Sequence, residues 1–144
     1  MIVHAGLVAQ RRGGFWRGVL IEGPSGAGKS DLALRALSEG FRLVADDRVV
    51  LWVSAGRLYG RAPDPLHGAL EVRGLDVVAA SALPMAQVVL VARAGDPERI
   101  PDVQSAEMLG ISLPLVELDL RALSAPAKLS RALDLFDEGH KRRI

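Results

Sequence analysis

The sequence predicts an α/β fold: one domain over residues 1–144, built on a mixed β-sheet with an N-terminal hairpin, a helix after a glycine-rich loop and a second helix at the C-terminus. Three observations predict it. Short apolar, β-branched runs recur along the chain with turn residues between them. Two other segments carry apolar residues at helical spacing, and the first of these follows an apolar run through a glycine-rich stretch.

Taken in order, residues 2–9 and 15–22 are apolar and partly β-branched, and the RRGG between them supplies a turn, so they read as a β-hairpin. The second strand leads into GPSGAGKS. From Lys29, the residues Leu32, Ala33, Ala36 and Leu37 recur at helical spacing, with Gly40 placed to cap the helix. Residues 41–45 read as a strand ending at Asp46 and Asp47, and residues 49–53 read as another, turning through Ala55 and Gly56 into RLYG. The two prolines and glycine of residues 62–68 read as a surface loop before a strand over 70–73. Residues 87–92 suit a buried strand, and the polar loop of residues 95–102 follows. Two short strands, over 103–109 and 113–118, precede a helix with Ser124 as N-cap, Leu129, Leu133 and Phe136 on one side and Gly139 after it.

Composition bounds the function. A chain that is 49% hydrophobic and 24% charged buries a core and keeps a solvated exterior. Its 18 Lys and Arg against 17 Asp and Glu leave a net charge of +1, which gives no bulk electrostatic reason to expect nucleic acid or a membrane surface as a partner. The absence of cysteine excludes a disulfide framework, a thiolate zinc site and a cysteine nucleophile. The opening MIVHAGLVAQRR lacks the pattern of a signal peptide, and no apolar run approaches the ~20 residues that span a bilayer. The expectation is a soluble, cytoplasmic protein.

GPSGAGKS, comprising Gly23, Pro24, Ser25, Gly26, Ala27, Gly28, Lys29 and Ser30, fits the GxxxxGK[ST] pattern of a phosphate-binding loop, or P-loop. Gly23, Gly26 and Gly28 are expected to adopt positive φ and turn several N–H groups toward one point at a helix N-terminus, where phosphate oxygens belong. Lys29 would stand beside the terminal phosphates, and the Ser30 hydroxyl would ligate a bridging Mg²⁺. Such a pattern also arises by chance in glycine-rich turns. Its position between an apolar run and a helical one argues against that.

A P-loop enzyme needs a carboxylate near the metal, and LVADD supplies Asp46 and Asp47 at a predicted strand end. Neighbours on an extended strand face opposite ways, although both can turn inward at its end, where mutual repulsion would make one a better proton carrier. A plain turn is the bland alternative. Glu71 and Arg73 share one strand face beside Gly74, a pattern that a solvated salt-bridging face also produces. His4 stands in an otherwise apolar strand, where a hydrogen-bonded structural histidine is the commoner case. His67 and His140 show no ligand spacing, and the basic ending 140–143 reads as a solvated tail.

Together and in this order, VHAGLV, GPSGAGKS, LVADD and LEVRGLDVV resemble the C-terminal catalytic domain of HPr kinase/phosphorylase, the bacterial enzyme that phosphorylates a serine of the phosphocarrier HPr. The resemblance covers roughly the first eighty residues strongly and the rest weakly. It implies a P-loop domain that uses ATP and Mg²⁺, with Lys29 binding phosphate and Ser30 and Glu71 ligating the metal. It makes Asp47 the acceptor of the serine proton, Asp46 a supporting carboxylate near the metal and His4 the active-site histidine, although Ala5 follows it here. Arg73 and Gly74 fall in a segment that the family uses for catalysis. It also implies HPr or an HPr-like phosphocarrier as partner and a homo-oligomer, a hexamer in the family.

The chain begins at the catalytic domain, like the short form known in α-proteobacteria. Met108 stands where the family has an arginine before a Leu-Gly pair, and the PGRN region tied to dephosphorylation has no counterpart, so the expectation is confined to the forward reaction. Two other readings keep the P-loop: a phosphotransferase acting on a small metabolite or on water, and a nucleotide-binding regulatory module without transfer.

Overall fold

The structure, a computed structural model, describes residues 1–136. The expected end of the last helix at Gly139 and the basic tail lie outside the described residues. Eleven strands and two α-helices make up the described chain. The strands are β1 (Ile2–Val3), β2 (Gly6–Arg12), β3 (Phe15–Glu22), β4 (Phe41–Ala45), β5 (Val49–Ser54), β6 (Arg57–Arg61), β7 (Ala69–Val72), β8 (Asp76–Ala79), β9 (Ala86–Ala94), β10 (Gln104–Met108) and β11 (Ile111–Leu118). The helices are α1 (Lys29–Ala36) and α2 (Ala125–Leu135).

Nine strands form one curled mixed sheet in the order β1-β5-β6-β9-β3-β2-β4, with β11 on β9 and β10 outside β11; β7 and β8 pair apart from it. The sheet branches at β9. Along one edge β9 runs parallel to β3 from Gln87 to Arg93. Its other edge is divided: Ala86 and Gln87 pair antiparallel with β6, while Val91 to Ala94 pair parallel with β11.

The sequence explains why β2, β3 and β9 are central. Side chains alternate across a strand, and in β2 and β3 both faces are apolar. Leu7, Ala9 and Leu20 join a cluster on one face with Leu51, Leu58, Val91, Leu113 and Leu115, closed over by the curl of the sheet. Val8, Val19 and Ile21 join a second cluster on the other face with Leu32, Ala33 and Ala36 of α1 and Leu129 and Leu133 of α2. The helical periodicity of both segments thus aims each apolar stripe at the same sheet face. Arg12, at the end of β2, ties α2 down through an ion pair with Asp134 and bonds to the Ser130 carbonyl and hydroxyl.

Two inversions of direction position the site. β2 is antiparallel to both β3 and β4, so β3 and β4 point the same way, and Leu7 lies opposite Leu20 on one side and Ala45 on the other. The residues following Glu22 and those following Ala45 therefore emerge at the same end of the sheet.

Several local expectations change. Residues 2–9 are not one strand: β1 pairs with β5, β2 pairs with β3 and β4, and His4 lies exposed at the break between them. The loop over 62–68 contains one 3-10 turn, Asp64–Leu66, opened by the prolines. The expected strand over 70–73 ends at Val72, so Arg73 does not share a strand face with Glu71 but stands in the turn that passes through Gly74, at φ 88°, into β8. Ser124 precedes α2 without a side-chain cap bond, and Pro126 sits in its first turn.

Candidate functional site

The glycine-rich loop joins β3 to α1, as the motif requires. Gly26 and Gly28 adopt φ of 82° and 103°, which L-residues with a side chain rarely reach. Gly23 is a correction: it is not in the positive-φ region, and its need for glycine is steric. A Cβ there would lie 2.8 Å from the Ala94 Cβ and 3.2 Å from the Ala27 Cβ. The first helical turn begins at Lys29, with Gly28 as N-cap and no side-chain cap bond, so its backbone N–H groups remain available to an anion. Lys29 Nζ donates to the carbonyls of Gly23 at 2.6 Å and Pro24 at 3.0 Å, which places its ammonium over the loop.

Across from the loop stands Asp46, only 5% exposed. Its carboxylate accepts from Ser30 Oγ at 2.7 Å and from the Glu71 backbone N–H at 3.0 Å, so it fastens α1 and β7 to the end of β4. Asp47 turns the other way. Arg48 N–H closes a three-residue turn onto the Asp46 carbonyl at 2.8 Å, and Asp47 at its centre takes φ 69°. That geometry exposes 69% of the Asp47 side chain, beside Arg48 at 3.8 Å, while its carbonyl accepts the Ala5 N–H at 3.2 Å. The last bond holds the backbone next to His4 against the aspartate pair.

The structure thus brings Ser30, Asp46 and the backbone of Glu71 together by direct contact, sets Lys29 next to Ser30 with its ammonium on the loop carbonyls, and joins Asp47 to the His4 segment through backbone. The Glu71 residue is exposed and meets the group by its backbone N–H, not by its carboxylate; Leu70 beside it is buried against α1. His67 lies in the loop before β7, away from these contacts. The donor set at the loop is a hydroxyl and a carboxylate, the hard oxygen chemistry that Mg²⁺ takes, and no group of three or more acidic or histidine side chains could cage a metal among the described residues.

Two arginines were not foreseen. Arg35 on α1 donates to the carbonyl of Leu120 and, at 3.0 Å, to that of Ala122, pinning the loop between β11 and α2. Arg121 reaches from that loop to the Gly26 carbonyl. Nothing local marks them: Asp119 and Arg121 merely follow an apolar strand, and only the parallel β3-β9-β11 order reveals that this strand ends beside the glycine-rich loop.

Residues 7–93 match the family model described as HPr Serine kinase C-terminal domain. A Clostridium perfringens protein named HPr kinase/phosphorylase is 48% identical over 66 residues, covering 46% of this chain and 22% of that protein. One of the same name from Malacoplasma penetrans is 34% identical over 115 residues, covering 69% of this chain and 38% of that protein. The matched segment is thus well under half the length of these relatives. A solved structure of the Hpr(Ser) kinase/phosphatase from Coxiella burnetii aligns with a TM-score of 0.77 at 23% identity, covering 92% of this chain and 93% of that one, which shows a shared fold. With the family model spanning more than half of its residues, and with strand, glycine-rich loop, helix and paired aspartates in place, this chain belongs to the HPr kinase C-terminal domain family.

Proposed function

We propose that this domain transfers the γ-phosphoryl group of ATP to a serine of HPr or an HPr-like phosphocarrier. The observation that carries the proposal is the contact of Ser30 with Asp46 beside Lys29 and the P-loop, with Asp47 exposed at the same sheet end. The names of the relatives support the choice of acceptor.

In this reading the loop N–H groups and Lys29 hold the phosphate chain and stabilise charge developing on it. Ser30 would hold Mg²⁺ with Asp46, which it contacts, in support, and the exposed Glu71 side chain, whose backbone N–H Asp46 anchors, would supply a further oxygen; bound there, the ion would neutralise charge on the terminal phosphates. The exposed Asp47 carboxylate accepts the proton of the incoming serine hydroxyl, a role suited to the group that faces outward rather than the buried one. Its backbone is fixed by the turn and by the bond from Ala5, which keeps the carboxylate in place while a protein substrate docks. His4, exposed next to Ala5, is the second group that this reading places in the active site.

The test is incubation with γ-labelled ATP, Mg²⁺ and the HPr-like proteins of the source organism. Label on a serine of the phosphocarrier is the expected result. Demonstrated ATP binding with no labelled protein would overturn the proposal, with free phosphate or retained ATP identifying the alternative.

A further inference from the structure

The P-loop strand β3 has two flanks. On one lie β2 and β4, and here Ser30, Asp46 and the Glu71 backbone gather; on the other lie β9 and β11. Arg121 comes from the second flank. Its backbone is fixed on three sides: its own N–H donates to Asp119 Oδ1 at 3.0 Å, and Arg35 holds the carbonyls of Leu120 and Ala122. The side chain lies over the loop, with Cγ 3.2 Å and Cζ 3.8 Å from where a Gly28 Cβ would stand, and it donates to the Gly26 carbonyl. Among the described residues no carboxylate pairs with this guanidinium, and the residue is exposed. Leu123, in the same connection, is 98% exposed.

A phosphate chain cradled by the loop has two ends. The oxygen ligands for a metal stand on the β4 flank, so the terminal phosphates belong there, and the chain must leave toward the β11 flank. We infer that Arg121 receives the nucleoside end of the bound triphosphate, its planar guanidinium against the face of the base. The inference rests on the P-loop reading. A guanidinium stacks on π-faces as an ammonium does not, and its weak hydration favours such a contact at an exposed site. Leu123 offers an apolar neighbour for the same base.

Equilibrium binding of ATP and of inorganic tripolyphosphate, each with Mg²⁺, tests this in wild type, Arg121→Lys and Arg121→Gln, with thermal melting as a check on folding. Arg121→Lys keeps the charge and loses the plane. It is expected to weaken ATP about fivefold while leaving tripolyphosphate within about twofold, and Arg121→Gln is expected to weaken ATP at least as much. Loss of both ligands by the same factor in Arg121→Lys, or loss of neither, would overturn the assignment and leave Arg121 a structural latch. Wild-type protein that binds neither ligand overturns the P-loop reading itself and the assignment with it.

Discussion

The hydroxyl of Ser30 donates to the carboxylate of Asp46 at 2.7 Å, and this one bond couples the first turn of α1 to the end of β4. Asp46 also accepts the Glu71 N–H, so a nearly buried carboxylate ties three segments together. Asp46→Ala leaves two donors without an acceptor and is expected to cost about 1–3 kcal/mol, read as a fall in melting temperature of roughly 4 °C for each kcal/mol. Asp46→Asn keeps an acceptor oxygen and should melt higher than the alanine variant. Under the proposed function, in which wild type binds ATP with Mg²⁺ and a chelator weakens it, both variants should lessen that chelator effect.

Asp47 separates charge from backbone. Asn tolerates positive φ and Ala does not, so Asp47→Asn should fold as wild type whereas Asp47→Ala loses about 1 kcal/mol in denaturant melts. Under the proposed mechanism, Asp47→Asn abolishes phosphoryl transfer and largely spares ATP binding. Loss of both would make Asp47 a metal or structural residue instead.

Gly23 meets Ala94 where β3 and β9 end. Gly23→Ala sets two methyl carbons 2.8 Å apart and is expected to destabilise by about 1–3 kcal/mol. Ala94→Gly in the same chain should restore more than half of that loss. A double-mutant cycle without coupling would refute the steric account.

Arg35→Ala removes both clamps on the loop before α2 and breaks the pair with Asp31. The expected cost is about 1–3 kcal/mol in stability. Nucleotide affinity should fall with it. Hydrogen exchange should quicken over 119–123 with little change in β2 or β3.

How much of this was legible depended on range in sequence. The strand, loop and helix around Gly23 to Ser30 could be read because glycine placement and apolar spacing are local signals. The aspartate pair could be located but not divided, because a turn centred on Asp47, rather than strand alternation, decides which carboxylate is buried. His4 was read as a strand residue because Ile2 to Ala9 is otherwise apolar; only the pairing of Ile2 and Val3 with β5 interrupts it. Arg35 and Arg121 carried no local signal, since their partners are carbonyls in distant segments.

The divided edge of β9 bears on how the protein comes off the ribosome. The motif that marks this chain is complete by Ser30, yet Gly23 lies against Ala94 at the end of β9 and Leu120 just after β11, and α1 packs against a helix that begins at Ala125. Such pairings close large loops and form late. A nascent chain therefore carries the whole glycine-rich signature long before it owns the segments that pack around that loop. Ligand-induced protection in a series of C-terminally truncated, stalled chains should arise abruptly, near the length at which Leu118 to Leu133 clears the exit tunnel, rather than grow in proportion to the sequence translated.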